Sequence, residues 1–170
     1  DVCDEEGMMI FAGRYGRPKH ATQTAPPKDF ELSLKTYKEI DLGPFASHPS
    51  VVIYILSNEM PYEGKAGDLY RDFLTRMYQE LKKWDNTRLY ICNAGYGLGK
   101  SADIYDVHRY WGWYYNSFLT YLNMRDKDMW QNPGKVQPIT FTECVGNYTG
   151  IDGRFNLCSR TKQPGSQKCW

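Results

Sequence analysis

The chain has 170 residues, enough for one domain with a substantial core. Its 21 basic residues balance 20 acidic ones, so no nucleic acid or other polyanionic partner is expected. No apolar run approaches the roughly 18 residues that cross a bilayer, so no membrane partner is expected either. No signal peptide is visible, and Asp1 is not a natural start, so the natural amino terminus is expected to lie elsewhere. Aromatic residues make up 15% of the chain. Stacking on sugar faces would use them, and so would a large barrel core, so composition leaves both open. The five cysteines, Cys3, Cys92, Cys144, Cys158 and Cys169, show no metal-ligand spacing, and their odd number closes no disulfide framework. Cys3 and Cys92 read as inert core residues. Cys158 and Cys169 lie in a polar loop and either pair in an oxidising compartment or stay free.

In chain order, Asp4-Glu5-Glu6-Gly7 reads as the end of a helix, with Gly7 as its stop, running into a strand over Met8–Ala12. Gly13 to Lys28 is a loop rich in Gly, Pro, Thr and basic residues, of the kind that lines a site at a strand's carboxyl end. Asp29 caps a helix that should bury Phe30, Leu34, Tyr37 and Ile40 on one face, and Gly43-Pro44 ends it. His48 precedes Pro49 at the amino end of the next strand, where a structural role is expected.

Val51 to Leu56 is an unbroken apolar run, followed by Ser57-Asn58-Glu59. Continuous β-branched runs belong to strands buried on both faces, usual in parallel α/β sheets. Ligand chemistry in such sheets gathers at the carboxyl ends of the strands, where Glu59 stands. The same three residues would also serve as an ordinary solvated turn. Asp68 to Trp84 is the clearest amphipathic helix, with Leu69, Tyr70, Phe73, Leu74, Met77, Leu81 and Trp84 as its stripe. Asp85-Asn86 turns the chain into a strand over Leu89–Asn93. The glycines and Lys100-Ser101 that follow have the wrong spacing for a phosphate loop and read as a rim loop. Ile104–His108 is the next strand, after which Trp111, Trp113 and Tyr115 either pack the rim or face a ligand. Ser117 to Trp130 reads as helix, closed by Gln131 to Gly134. Pro138 to Glu143 is a second β-prone run ending in a glutamate. The chain then turns polar, and 151–170 reads as loop.

Two carboxylates at the mouth of one parallel sheet are the apparatus of glycoside hydrolysis. His48-Pro49-Ser50-Val51 through Ser57-Asn58-Glu59 resembles the acid/base signature of glycoside hydrolase family 2, the family of β-galactosidases and β-glucuronidases. Ile139 through Glu143 resembles its nucleophile strand, and the likeness runs from about Val2 to Glu143. The resemblance implies an α/β fold, a partial (β/α)8 TIM barrel holding about strands three to seven of eight. A complete barrel needs roughly 250 residues, so 1–170 is expected to be a fragment of the catalytic domain. Tyr110, Gly112, Trp113 and Tyr114 match the family's sixth strand and following loop. By that likeness Asn58, His108, Tyr110, Trp113 and Tyr114 would contact the sugar. His108 stands where the β-glucuronidases carry asparagine, which speaks against a glucuronidase assignment. Some β-galactosidases of the family bind magnesium just after the third strand through an acid and a histidine. Gly13-Arg14-Tyr15 supplies neither, so no metal and no cofactor is expected.

The resemblance implies a retaining β-glycosidase acting by double displacement on a carbohydrate substrate, most simply β-galactosidase-like. Glu143 would be the nucleophile and Glu59 the acid that later serves as base. Asn58 would hold the 2-hydroxyl and Tyr110 would orient Glu143. Two other readings remain: a polysaccharide-cleaving glycosidase of a related barrel family, and a non-catalytic or truncated carbohydrate-binding relative. Nothing in the sequence fixes the oligomeric state.

Overall fold

The computed structural model describes residues 1–14, 16–96, 102–108, 137–143, 148–149 and 155–156. The elements in order are α1 (Val2–Glu5), β1 (Ile10–Gly13), α2 (Phe30–Thr36), a π turn (Tyr37–Asp41), a short 3-10 turn (Gly43–Phe45), β2 (Val51–Ile55) and α3 (Gly64–Trp84). After them come β3 (Leu89–Ile91), β4 (Tyr105–His108), β5 (Ile139–Glu143), β6 (Tyr148–Thr149) and β7 (Phe155–Asn156). All five expected strands are present, with edges moved by a residue or two. The first starts late: Met8 and Met9 are exposed, and pairing begins at Ile10.

β2 lies between β1 and β3 and runs parallel to both. β4 and β5 form a second parallel pair. Backbone bonds tie β4 to β3 at both ends: Asp103 and Ile104 donate to the Tyr90 carbonyl, and His108 donates to that of Gly95. The five strands therefore follow one another in chain order, all parallel, as in a segment of a (β/α)8 barrel.

β2 explains the layering. Tyr54 and Leu56 face the helices, in a core with Leu34, Tyr37, Tyr70, Leu74, Met77 and Leu81. Ile53 and Ile55 point the other way, against Ile91, Ala94 and Ile104. A strand covered on both faces has no solvent side for polar residues, which is why Val51 to Leu56 is apolar throughout.

α2 is capped as expected, the Asp29 side chain accepting from the Leu32 N–H at 2.9 Å. Its far end departs from expectation. The Leu42 N–H reaches back to the Tyr37 carbonyl, an i→i+5 bond that inserts one residue into the turn. Ile40 is thereby swung out to 61% exposure, and Leu42 takes the buried position. α3 begins four residues before Asp68, because Gly67 lets its first turn lie against Tyr62. A Cβ at Gly67 would sit 2.4 Å from the Tyr62 carbonyl carbon. Leu69 and Trp84, expected in the stripe, are exposed at its margins, while Tyr70, Phe73, Leu74, Met77 and Leu81 are buried.

Below the strands, Arg88 donates to the carbonyls of Val51, Ala46 and His48 and pairs with Asp85. Asp4 bonds the His48 ring at 2.7 Å and accepts the Ser50 N–H, pinning α1 under β2. These bonds hold its carboxyl well below the usual carboxylate range. Asp103 accepts from Tyr78, Lys82 and the Tyr90 N–H, so one carboxylate fastens α3 to β3. Cys92 is core, and burial pushes its thiol up; Cys3 is only half-buried, which corrects its reading as core. The stretch expected to be loop after Glu143 contains the antiparallel pair β6–β7. The expected helix over 117–130, the rim loop 97–101 and the remaining cysteines lie outside the described residues. Among the described residues no helix is long and apolar enough to cross a membrane.

Candidate active site

Glu59 lies just past the carboxyl end of β2, and its backbone is held from both sides. Asn58 N–H donates to the Gly16 carbonyl, Glu59 N–H to that of Ala94, and Ala94 N–H to that of Ser57. The Ser57 hydroxyl donates to the Cys92 carbonyl at 2.7 Å. Asn93 closes the clamp, its side chain accepting from the Met60 N–H and donating to the Met60 carbonyl. Within this frame Glu59 adopts φ +49°, the left-handed region that a glutamate seldom enters. Backbone of that kind persists only where the surroundings impose it, and such places cluster at functional sites.

Glu143 ends β5. Asp106 pairs with Thr140 and His108 with Glu143, so β5 carries one extra residue between the two pairs. In a regular strand successive side chains point to opposite faces. The bulge lets both Thr142 and Glu143 turn toward β4. His108 receives them: its Nε2 lies 3.0 Å from the Thr142 hydroxyl, and its Nδ1 lies 3.7 Å from Glu143 Oε2. The same Nδ1 lies 2.8 Å from Glu59 Oε1. Glu59, His108 and Glu143 each present one atom, and all three atoms lie within 4.8 Å of one another. The carboxylates keep some access to solvent, at 42% and 29% side-chain exposure, whereas the imidazole between them has 3%.

Beneath the imidazole sits Asp106, fully buried. Its two oxygens accept four bonds, from the Thr140 hydroxyl, the Thr142 N–H, the Thr142 hydroxyl and the Gly95 N–H. Gly95 has φ +91°, and a Cβ there would fall 2.6 Å from His108 Nδ1, so only glycine leaves room for the ring. Tyr62, after β2, and Tyr96, after β3, stack with centroids 4.5 Å apart.

Of the residues expected from sequence, the structure brings Glu59, Glu143 and His108 together. Asn58 adjoins them, its Oδ1 buried with no hydrogen-bond partner among the described residues. Tyr110, Trp113 and Tyr114 lie outside the described residues. Sequence reasoning missed Asn93, Gly95, Asp106 and Thr142. The available signal was a polar residue inside or closing each strand, as in Tyr105-Asp106-Val107-His108.

Three potential metal ligands meet here and again at Asp1, Asp4 and His48. Two ligands on one small cation, each bonded at roughly 2.0–2.2 Å, stand about 3 Å apart or more. The 2.8 Å contact between Glu59 and His108 is instead a hydrogen bond. The second set lies at the amino ends of the strands, away from the glutamates, and Asp1 is 94% exposed.

Consecutive parallel strands with two glutamates and a histidine at one mouth make a segment of a (β/α)8 barrel with these residues at its carboxyl end. The family description "Glycosyl hydrolases family 2, TIM barrel domain" matches residues 2–164, and the chain belongs to that family. Among solved structures it is similar to the β-glucuronidase (GUS) of Parabacteroides merdae, with a TM-score of 0.55 and 21% identity over 83% of this chain. At that identity the likeness is one of fold. The chain spans 17% of the length of that relative. No curated protein matches the chain.

Proposed function

We propose that this chain carries the catalytic glutamates of a retaining β-glycosidase, within a larger barrel domain that completes the site. The observation that supports it most is the closeness of Glu59 and Glu143, whose nearest facing oxygens lie within 4.8 Å. A carboxyl pair about 5–5.5 Å apart leaves no room for a water on the far side of the sugar, whereas the roughly 6.5–9.5 Å of inverting enzymes does. Glu143 then attacks C1 and forms the glycosyl-enzyme. Glu59 gives its proton to the leaving oxygen and afterwards takes one from the incoming water. Asn58, next to Glu59 in the chain, would hold the sugar's 2-hydroxyl. A β-galactoside is the favoured substrate. The similarity to a β-glucuronidase makes a β-glucuronide the comparison substrate.

Azide rescue in the complete enzyme tests both roles. Glu59→Ala should lose about 10²–10⁴-fold on substrates with poor leaving groups and far less on a dinitrophenyl glycoside, which needs little protonation. Azide should restore its turnover and yield the β-glycosyl azide, since two displacements restore the configuration. Glu143→Ala should fail on every substrate, and azide should yield the α-azide by a single attack. Interchanged products would mean interchanged roles. Full activity in both variants would place the site elsewhere.

A further inference from the structure

We propose that His108 is a positioning residue that holds the working proton in its hydrogen bond with the acid/base Glu59, through a fixed relay Asp106–Thr142–His108–Glu59. The inference rests on the acid/base reading of Glu59 and goes beyond it, because it gives a task to Asp106 and Thr142, which that reading leaves unused, and gives His108 one other than the sugar contact that the resemblance implies.

The relay follows from counting hydrogens. Asp106 has four acceptor sites, and four donors fill them. The Thr142 hydroxyl hydrogen is one of those donors, committed to Asp106 Oδ2 at 2.7 Å. That hydroxyl can therefore meet His108 Nε2, 3.0 Å away, only as an acceptor. Nε2 must carry hydrogen. Neutral imidazole has one N–H, so its Nδ1 then holds a lone pair, 2.8 Å from Glu59 Oε1. Two lone pairs cannot face each other at that distance, so one proton lies between them and belongs to the pair. When Glu59 gives this proton to the glycosidic oxygen, it leaves with the aglycone. Glu59 is left as a carboxylate opposite a lone pair, which drives it to take a proton from water as hydroxide attacks C1. The proton count closes over the cycle.

Among the described residues, the groups facing this ring are Glu59 from the loop after β2, the Gly95 backbone after β3, Asp106 on β4, and Thr142 and Glu143 on β5. The site is built for the ring: Gly95 makes room for it and also donates to Asp106.

His108→Asn in the complete enzyme tests this. An amide can turn its NH2 toward an ionised Glu59, so it removes the penalty on losing the proton. The alkaline limb of kcat/KM should move about one pH unit lower. At neutral pH the loss on a phenyl glycoside should exceed that on a dinitrophenyl glycoside by at least tenfold, and most of it should return at lower pH. Thr142→Val should shift the limb the same way and Thr142→Ser should restore it, and this pair decides the matter if His108→Asn does not fold. An equal loss on both substrates with an unmoved limb overturns the proposal, because packing alone would do that. A raised KM with unchanged kcat also overturns it, since the imidazole would then be a sugar contact. If Glu59→Ala shows no dependence on the leaving group, the acid/base reading fails and the relay falls with it.

Discussion

Gly95 shows how much the site depends on a missing side chain. At φ +91° an alanine costs roughly 1–2 kcal/mol in backbone strain. Its methyl would also collide with His108 Nδ1 at 2.6 Å and Cγ at 2.8 Å. Gly95→Ala is therefore expected to push the imidazole away from Glu59 and cut kcat/KM by tenfold or more. Thermal unfolding should move by only a few degrees, and steady-state kinetics beside a melting curve would check both. An unaltered kcat/KM would show that the ring need not stand where it does. Glu59 and Glu143 could be read from sequence because each ends a β-prone run, and a strand's carboxyl end is a predictable place. Asn93, Asp106 and Thr142 offered only a polar residue in or beside a strand, with nothing to say what it bonds, and Gly95 offered not even that. Their roles arise across strands, from partners 11 to 36 residues away, as in Gly95 to Asp106 and Thr142 to Asp106.

Among elements, α3 was the most legible, since its stripe follows the 3.6-residue period and five of its seven members are buried. The margins are where packing decides. Met77 is fully buried and Leu69 is 42% exposed, although both belong to the same stripe. Met77→Ala is expected to cost about 2–5 kcal/mol through lost burial and the cavity left behind. Leu69→Ala should fall within about 0.5 kcal/mol of the parent. Chemical denaturation of the complete protein would measure both, and similar values would mean that the helix sits at a different rotation. The π turn after α2 could not be foreseen. Nothing in Tyr37-Lys38-Glu39-Ile40-Asp41 signals an inserted residue, and the change of phase only becomes favourable because Leu42 finds a fully buried place.

Over the whole molecule, the parallel order of the strands explains both what is stable and what is not. β2, β3 and β4 have neighbours on both sides, whereas among the described residues β1 pairs only with β2 and β5 only with β4. Unpaired parallel edges leave N–H and C=O groups open to other chains. Phe11 on β1 and Met8 and Met9 beside it add exposed apolar surface at one of those edges. Residues 1–170 by themselves are expected to aggregate or to unfold without a sharp transition, and to fold cooperatively once the remaining barrel strands are supplied. Calorimetry of both forms would decide, and one sharp, reversible transition from the isolated segment would contradict it.

The left-handed backbone at Glu59 bears on how this lineage can change over generations. Glycine, asparagine and aspartate enter that region most easily, so several ways of disabling the position would leave the scaffold at least as comfortable as before. On the proposed acid/base role of Glu59, selection for hydrolysis rather than for folding would keep a glutamate there. Where that selection lapses, a descendant could lose the proposed chemistry in a single step and persist as an intact fold. Such silent relatives would be recognised by a small or amide residue at position 59 above an undisturbed Asn93 clamp.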